Sequence, residues 1–214
     1  MIAILNGDII NSRKLVNQEL WITSLKKMLH EYGETPLNWE IFRGDSFQIE
    51  LKNPEEALFV ALRIKALIKS IDTSNGTKRS APIDVRIAIG IGEKDYEANR
   101  VSESNGAAFV YSGEKFEKLK KEKTNLAIQS PFPEFDLEMN LYLKLALIQM
   151  DSWSISSAEL FTTILKYPEK IQSEIGSIFG IEQNSVSGRF KRAHVDEILA
   201  VEQRYRSQFK KQLI

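Results

Sequence analysis

The spacing of apolar and polar residues changes near residue 131, and the change predicts two kinds of structure. Before that point, short apolar runs alternate with longer amphipathic stretches, which is typical of strands interleaved with helices. Strands are predicted at residues 2–9, 39–43, 46–51, 85–91 and 125–129, and helices at about 15–29, 54–68 and 107–121. Gly7 and Asp8 interrupt the apolar run of the first strand, and a tight hairpin turn is expected at residues 44–45.

The order of these elements predicts an α+β protein. The order βαββαβ, followed by a further helix and strand, is that of a ferredoxin-like domain, here over residues 1–130. Such a domain has an antiparallel sheet with helices on one face. The prolines at 131 and 133 mark a linker. Residues 134–214 are predicted to form an all-α domain, whose first helix carries a stripe of Leu137, Leu141, Leu145 and Ile148.

A helix-turn-helix is predicted within the helical domain, at about residues 171–193. Ile175, Ile178 and Phe179 have helical spacing and are expected to share a buried face. Gly180 stands where the first helix ends and the chain needs a left-handed residue. Two further features agree with this pattern, a small residue where the helices cross and apolar residues that fill the angle between them: Gly176, Ile181 and Val186.

The second helix of this motif begins with polar residues and becomes basic. In a DNA-binding helix-turn-helix, this helix lies in the major groove of double-stranded DNA. The residues expected to face bases are Gln183, Asn184, Ser185 and Ser187, and those expected to meet phosphates are Arg189, Lys191 and Arg192. A homodimer that reads two half-sites is expected, because one copy of the motif gives a small interface. The alternative is an ordinary helical hairpin with a solvated basic end.

Composition narrows the choice of partner and compartment. Lys plus Arg and Asp plus Glu number 29 each, so any contact with DNA must come from a local patch. Cysteine is absent, which excludes disulfides and thiolate metal sites and fits a reducing cytoplasm. We expect a cytoplasmic protein with no membrane span. The final helix carries cations at residues 204–211. We expect it to be a solvated or dimerising helix that does not contact DNA.

Two aspartates are candidate metal ligands. Asp8 ends the first strand and Asp45 lies in the hairpin turn, and these places are neighbours in a ferredoxin-like sheet. Two carboxylates there could hold Mg²⁺, which prefers hard oxygen ligands and would clamp a nucleotide's phosphates. The groups expected around that nucleotide are the backbone amides of Ile9 and Ile10 and the side chains of Arg13 and Arg43. The alternative is that both aspartates are ordinary turn residues.

These segments resemble class III nucleotidyl cyclases. The run from Leu5 to Ile10 is similar to the family's first metal motif, and Gly44-Asp45 to its Gly-Asp hairpin. The resemblance implies a cyclase-like fold with metal ligands at Asp8 and Asp45. It also aligns Val110 and Glu114 with the family's asparagine and transition-state arginine. A carboxylate in place of that arginine would oppose the charge on a transferring phosphoryl group, so the resemblance implies no cyclase catalysis.

Over nearly its whole length the chain resembles the SatD family of bacterial proteins. The segments that carry this resemblance are residues 7–13, 44–48 and 86–92 and the C-terminal helix-turn-helix, in the same order as in the family. The resemblance implies a cytosolic bacterial protein with a regulatory role.

Three functions remain open from the sequence. The first is a DNA-binding transcriptional regulator whose N-terminal domain senses a nucleotide or dimerises. The second is a Mg²⁺-dependent nucleotide-binding or nucleotidyl-transfer enzyme that uses Asp8 and Asp45. The third is a non-enzymatic module that binds other proteins.

Overall fold

The computed structural model describes residues 1–10, 12, 18–42, 44–73 and 83–213. Within these ranges the protein is α+β, as predicted, with one five-stranded sheet and eight α-helices. The strands are β1 (Ile2–Ile10), β2 (Trp39–Phe42), β3 (Ser46–Leu51), β4 (Asp84–Gly92) and β5 (Leu126–Gln129). The helices are α1 (Glu19–Leu29), α2 (Ala57–Ser70), α3 (Ala107–Glu122), α4 (Pro133–Met150), α5 (Ile155–Lys166), α6 (Gln172–Phe179), α7 (Gln183–Ala193) and α8 (Val195–Gln212).

The sheet is mixed, which corrects the prediction of a wholly antiparallel sheet. Its strand order is β2-β3-β1-β4-β5. The first four strands pair antiparallel, and β5 pairs parallel with β4. The parallel pair follows from the connection, because α3 crosses over from the end of β4 and returns the chain in the same direction. Strand β1 is therefore central, and its end lies between β3 and β4.

Strand β1 runs without a break through Gly7 and Asp8, although these two residues interrupt its apolar run. Gly7 pairs with Phe47 on β3 and Ile87 on β4. A Cβ atom at Gly7 would lie 2.3 Å from Cζ of the Phe47 ring. The glycine is needed there because a core aromatic ring packs over the backbone, and not because the chain turns.

Helices cover both faces of the sheet, and this corrects the prediction that they cover one. Successive side chains of a strand point to opposite faces. Ile87 and Ile89 of β4 join the core formed with α2, whereas Ala88 packs with Leu119 of α3. The approach of α3 is close, since a Cβ atom at Gly90 would lie 2.2 Å from the carbonyl oxygen of Ala108.

One hydrophobic core runs from the sheet through α2 into the C-terminal helices. Phe161 of α5 and Tyr205 of α8 belong to the same buried cluster as Leu5 of β1. The Tyr205 hydroxyl donates to the carbonyl oxygen of Pro54 at 2.6 Å. The described C-terminal helices thus pack directly against the sheet and its helices.

Candidate functional site

The predicted pair of helices near the C-terminus is α6 and α7, joined by residues 180–182. Gly180 ends α6 in the left-handed region, with φ of 64°. The turn is tight: the Ile181 amide donates to the carbonyl of Gly176 at 3.0 Å. A Cβ atom at Gly176 would lie 2.6 Å from the carbonyl oxygen of Ile181. The two glycines therefore permit the turn, one by its backbone angle and the other by its lack of a side chain.

Apolar side chains fix α7 against the two helices before it. Leu160 of α5, Ile175 of α6 and Val186 of α7 form one buried cluster. Ile181 and Phe179 pack at its edge, in agreement with the sequence, but Ile178 is 48% exposed. The expectation that Ile178 shares the buried face is wrong, because α5 and α7 both lie on the side of Ile175.

The first turn of α7 is polar and open to solvent. Gln183, Asn184 and Ser185 are exposed and Ser187 is half-buried. Val186, between them, is fully buried. One face of α7 thus anchors the helix, and the opposite face presents amide and hydroxyl groups, the groups that hydrogen-bond to base edges and phosphates.

Three cations follow on the same helix. Lys191 and Arg192 are exposed, and the half-buried Arg189 places its guanidinium 5.6 Å from the centroid of the Phe179 ring. Among the residues that the structure describes, no carboxylate comes within ion-pair distance of any of the three. They are therefore free to bind an external anion.

The cations of α8 provide a contrast. Arg204 pairs with Glu138 at 2.9 Å, Arg206 pairs with Glu202, and Lys210 lies 3.4 Å from Glu55. Tyr205, between them, is fully buried, and burial raises the pKa of its hydroxyl. Three of the four cations of this helix are thus used in ion pairs within the molecule.

The second candidate site lies at the end of β1. Asp8 is aligned with Ser46 on one side and with Arg86 on the other. Arg86 donates through Nε and Nη2 to the two carboxylate oxygens of Asp8, at 3.0 and 2.9 Å. Asp45 accepts a hydrogen bond of 2.6 Å from the Ser12 hydroxyl. The two aspartates do lie on adjacent segments, as the sequence predicted, but each already has a partner.

These pairings do not fit a Mg²⁺ site. A guanidinium that donates hydrogen bonds to both oxygens of Asp8 occupies the positions that a metal ion would take. In the described ranges, no three His, Cys, Asp or Glu side chains form a group able to hold a metal ion. The metal remains a prediction that requires Arg86 to move away.

The residues predicted to hold a nucleotide are only partly within the described structure. The Ile9 amide donates to the carbonyl of Asp45 at 3.0 Å, so it is engaged within the fold. Ile10 lies opposite Asp84 in the β1–β4 ladder. Arg13 and Arg43 fall outside the described residues.

The positions aligned with cyclase catalytic residues lie one turn apart on α3. Val110 is 49% exposed on α3. Glu114, one turn further on, accepts a hydrogen bond of 3.1 Å from Nε2 of Gln129.

Sequence reasoning missed a polar chain on the α3 side of the sheet. Gln48 donates to Asn6 at 2.8 Å, and Asn6 donates to the Ser112 hydroxyl at 2.9 Å. The signal was the alternation of polar residues with apolar ones at Asn6 and Asp8 of β1. It places both on the face where α3 lies.

Sequence reasoning also missed a cluster of charged residues where α2 meets the sheet and α4. Lys65 Nζ donates to Asp84 at 2.8 Å and to Asp151 at 2.6 Å. Lys69 donates to Asp84 at 3.1 Å and to the carbonyl of Asp151 at 2.9 Å. Both lysines lie on the buried, apolar face of α2. The sequence pattern alone does not indicate that a lysine on such a face has a buried carboxylate partner.

Comparison with protein-family models and with curated protein sequences gives no match. The resemblances to the cyclases and to the SatD family therefore remain predictions from the residues.

Among the helices of the described ranges, none combines the length and the apolar character needed to cross a bilayer.

Proposed function

We propose that the protein binds double-stranded DNA through α6 and α7, with α7 in the major groove. The observation that carries this proposal is the division of α7 into two faces. Val186 holds the helix in a buried cluster, while polar residues of its first turn and unpaired cations of its last turns stay open to solvent. Three of the four α8 cations, by comparison, have carboxylate partners: Arg204, Arg206 and Lys210.

The distribution of charge supports attraction of DNA to the α6–α7 segment and not to the molecule as a whole. The chain has no net charge, so its field does not steer it to nucleic acid. The segment from residue 171 to 194 holds three cations and two carboxylates, Glu174 and Glu182. Few phosphate contacts are therefore available to one copy, and a dimer that binds two half-sites would double them.

The sheet domain is proposed to have a regulatory or dimerising role. The strand order, with β1 between β3 and β4, supports a ferredoxin-like arrangement extended by β5. The pairing of Asp8 with Arg86 disfavours metal-dependent turnover at this edge. In this proposal the protein is a transcriptional regulator, and catalysis forms no part of it.

Selection from a pool of random-sequence duplexes, followed by a salt titration of the selected duplex, tests the proposal. The logarithm of the binding constant should fall linearly with the logarithm of salt concentration. Changing Lys191 and Arg192 together to alanine should reduce the magnitude of that slope by about 2, because each phosphate contact contributes about 1. Asn184→Ala should weaken binding by about 1–3 kcal/mol and relax preference at one base position.

Lys118 and Lys120, exposed on α3, provide the matched control. Changing both to alanine removes the same charge and should leave the affinity and the slope unchanged. Failure of the folded protein to bind any duplex at low salt would refute the proposal. A flat response to salt would favour a helical module that binds other proteins.

A further inference from the structure

A cleft of about 560 Å³ lies where the end of α3, strand β5 and α4 meet. Its volume is within the range of clefts that bind small molecules, and it lies where the sheet meets the C-terminal helices, a kind of junction at which such sites commonly occur. We call it the β5 cleft. Its described lining includes no residue of α7 or of β1, so it is separate from both candidate sites above.

The floor of the β5 cleft is apolar. Leu126 and Ala127 of β5 and Leu147 of α4 line it, and all three are buried. Ile148, which follows Leu147 on α4 and also lines the cleft, is 65% exposed. A ligand with an apolar body would remove the surface of Ile148 from water, which is favourable.

The uncompensated charge of the β5 cleft is positive. Lys123 and Lys144 line it and are exposed, and no carboxylate of the described residues lies within ion-pair distance of either. The two carboxylates that line it, Glu122 and Asp151, each pair with another lysine, at 2.9 and 2.6 Å. The cleft therefore attracts an anion.

Strand β5 is an edge strand, so every second residue directs its backbone groups away from β4. Ile87 of β4 donates to the carbonyl of Asn125 at 2.9 Å, and the residues that point outward are therefore Leu126 and Ile128. The side chain of Asn140 bonds both the amide and the carbonyl of Ile128, at 2.8 Å each. The backbone at Ile128 thus needs no further partner.

The backbone at Leu126 is only half satisfied. Its carbonyl accepts a hydrogen bond of 3.4 Å from the Thr124 hydroxyl, whereas no described residue accepts one from its amide. Leu126 is 1% exposed, and buried amides without an acceptor are rare in folded proteins. Because Leu126 lines the β5 cleft, an acceptor bound there would complete its hydrogen bonding.

Lys123 has a backbone conformation that favours glycine. It ends α3 in the left-handed region, with φ of 52°. Helices often end in this way with a glycine, because a side chain strains the conformation. Strain of this kind is typical of residues that serve a site, and the side chain of Lys123 lies at the cleft.

We propose that the β5 cleft binds a small organic anion, a carboxylate or a phosphate ester. Its charged group would lie among Lys123, Lys144 and the Leu126 amide, and its apolar body would cover Leu147 and Ile148. The apolar floor disfavours inorganic phosphate as the occupant, since that ion has no apolar part to cover it.

Fluorescence titration of the full chain with 8-anilinonaphthalene-1-sulfonate tests the proposal, because this probe joins an anion to an apolar body. N-phenyl-1-naphthylamine, the same molecule without the sulfonate, is the matched neutral probe. Changing Lys123 and Lys144 together to alanine should raise the dissociation constant of the sulfonate about 10-fold and that of the neutral probe less than about 2-fold. Changing Lys118 and Lys120, which lie outside the cleft, should affect neither probe.

Two substitutions on α4 test the apolar floor. Ile148→Ala should weaken both probes about 5-fold, since fewer apolar atoms are then covered. Leu137→Ala, at a leucine 70% exposed near the other end of α4, should leave both unchanged. If Leu137→Ala weakened the probes as much as Ile148→Ala, they would be bound along the exposed side of α4, and the proposal would fail.

Lys123→Gly separates binding from stability. Glycine relieves the left-handed strain, so the melting temperature should rise while the sulfonate binds less tightly. In NMR spectra of the full chain, the sulfonate should shift the amide resonance of Leu126 more than that of Ile128. The absence of saturable binding, or an equal loss of both probes in the double lysine variant, would overturn the proposal.

Competition then identifies the anionic group. Displacement of the bound sulfonate by 1-naphthoate would assign a carboxylate, and displacement by 1-naphthyl phosphate would assign a phosphate ester. Displacement by neither would count against the proposal. None of these measurements involves α7, so their outcome is independent of DNA binding.

Discussion

At the scale of single residues, the pairing of Asp8 with Arg86 determines what the end of β1 can bind. The side chains of both residues are only about one-fifth exposed, at 23% and 22%, and they share two hydrogen bonds. A cation that binds Asp8 must displace a guanidinium that already satisfies both carboxylate oxygens.

Arg86→Gln should therefore expose Asp8 to metal. We expect the variant to lose about 1–2 kcal/mol of stability, since a charge-assisted pair is replaced by a neutral contact. Mg²⁺ should then raise its melting temperature, because a ligand that binds only the folded state stabilises it. Wild type should show no such rise. Thermal denaturation with and without Mg²⁺ measures both effects.

Asp45→Asn in the Arg86→Gln background is the control, and it should abolish the response to Mg²⁺. A rise in the wild-type melting temperature that Asp45→Asn removes would instead support the metal-dependent nucleotide enzyme.

The sequence could predict that Asp8 and Asp45 are neighbours, but not that Arg86 forms an ion pair with Asp8. The neighbourhood follows from strand order alone. The pairing depends on register, and a shift of one residue between β1 and β4 would move Arg86 to the other face. The alternation at Asn6 and Asp8 indicates which face of β1 is polar, but it does not state which residue of β4 lies opposite each of them.

At the scale of elements, helical spacing identified the helices better than their buried sides. In α4, the exposed set from Leu137 to Ile148 and the buried set from Phe135 to Met150 both have helical periodicity. The sequence singled out the exposed set. Periodicity shows that a face is apolar, whereas the neighbouring elements determine whether the chain itself covers that face. Ile178 of α6 is a second example. It has helical spacing with the buried Ile175, but no neighbouring element that the structure describes covers it.

The turn between α6 and α7 gives a prediction at this scale. Gly176→Ala should destabilise the protein by about 1–3 kcal/mol, because its Cβ would lie 2.6 Å from the backbone oxygen of Ile181, and backbone must shift to accommodate it. Affinity for DNA should fall as well, since α7 depends on this turn for its position. Denaturant unfolding and the duplex titration measure the two effects.

Gly113→Ala is the matched control on α3. A Cβ atom there would have no neighbour within 4 Å. Alanine should therefore stabilise the protein by about 0.5–1 kcal/mol, as expected for glycine replaced inside a helix. Equal effects of the two substitutions would show that the α6–α7 turn is looser than the structure indicates.

At the scale of the whole molecule, the charged cluster on α2 joins the two parts that the sequence separated near residue 131. Lys65 links Asp84, at the start of β4, to Asp151, at the end of α4. Burial lowers the pKa of Lys69 even though Asp84 lies beside it. The cluster borders a continuous apolar core that includes residues of both parts, so the sheet and the C-terminal helices are expected to unfold together.

Hydrogen exchange measured by mass spectrometry over a denaturant series tests this coupling in the intact chain. Buried peptides from β4 and from α5 should open with the same free energy. Lys65→Met should lower both values equally by roughly 2–3 kcal/mol, less than the loss for a fully buried pair because Asp151 is 37% exposed. Lys52→Met, at an exposed lysine after β3, should change neither. If the α5 peptide opened at lower denaturant than the β4 peptide, or Lys65→Met affected only one of them, residues 134–214 would be an independent domain whose contact with the sheet contributes little to stability.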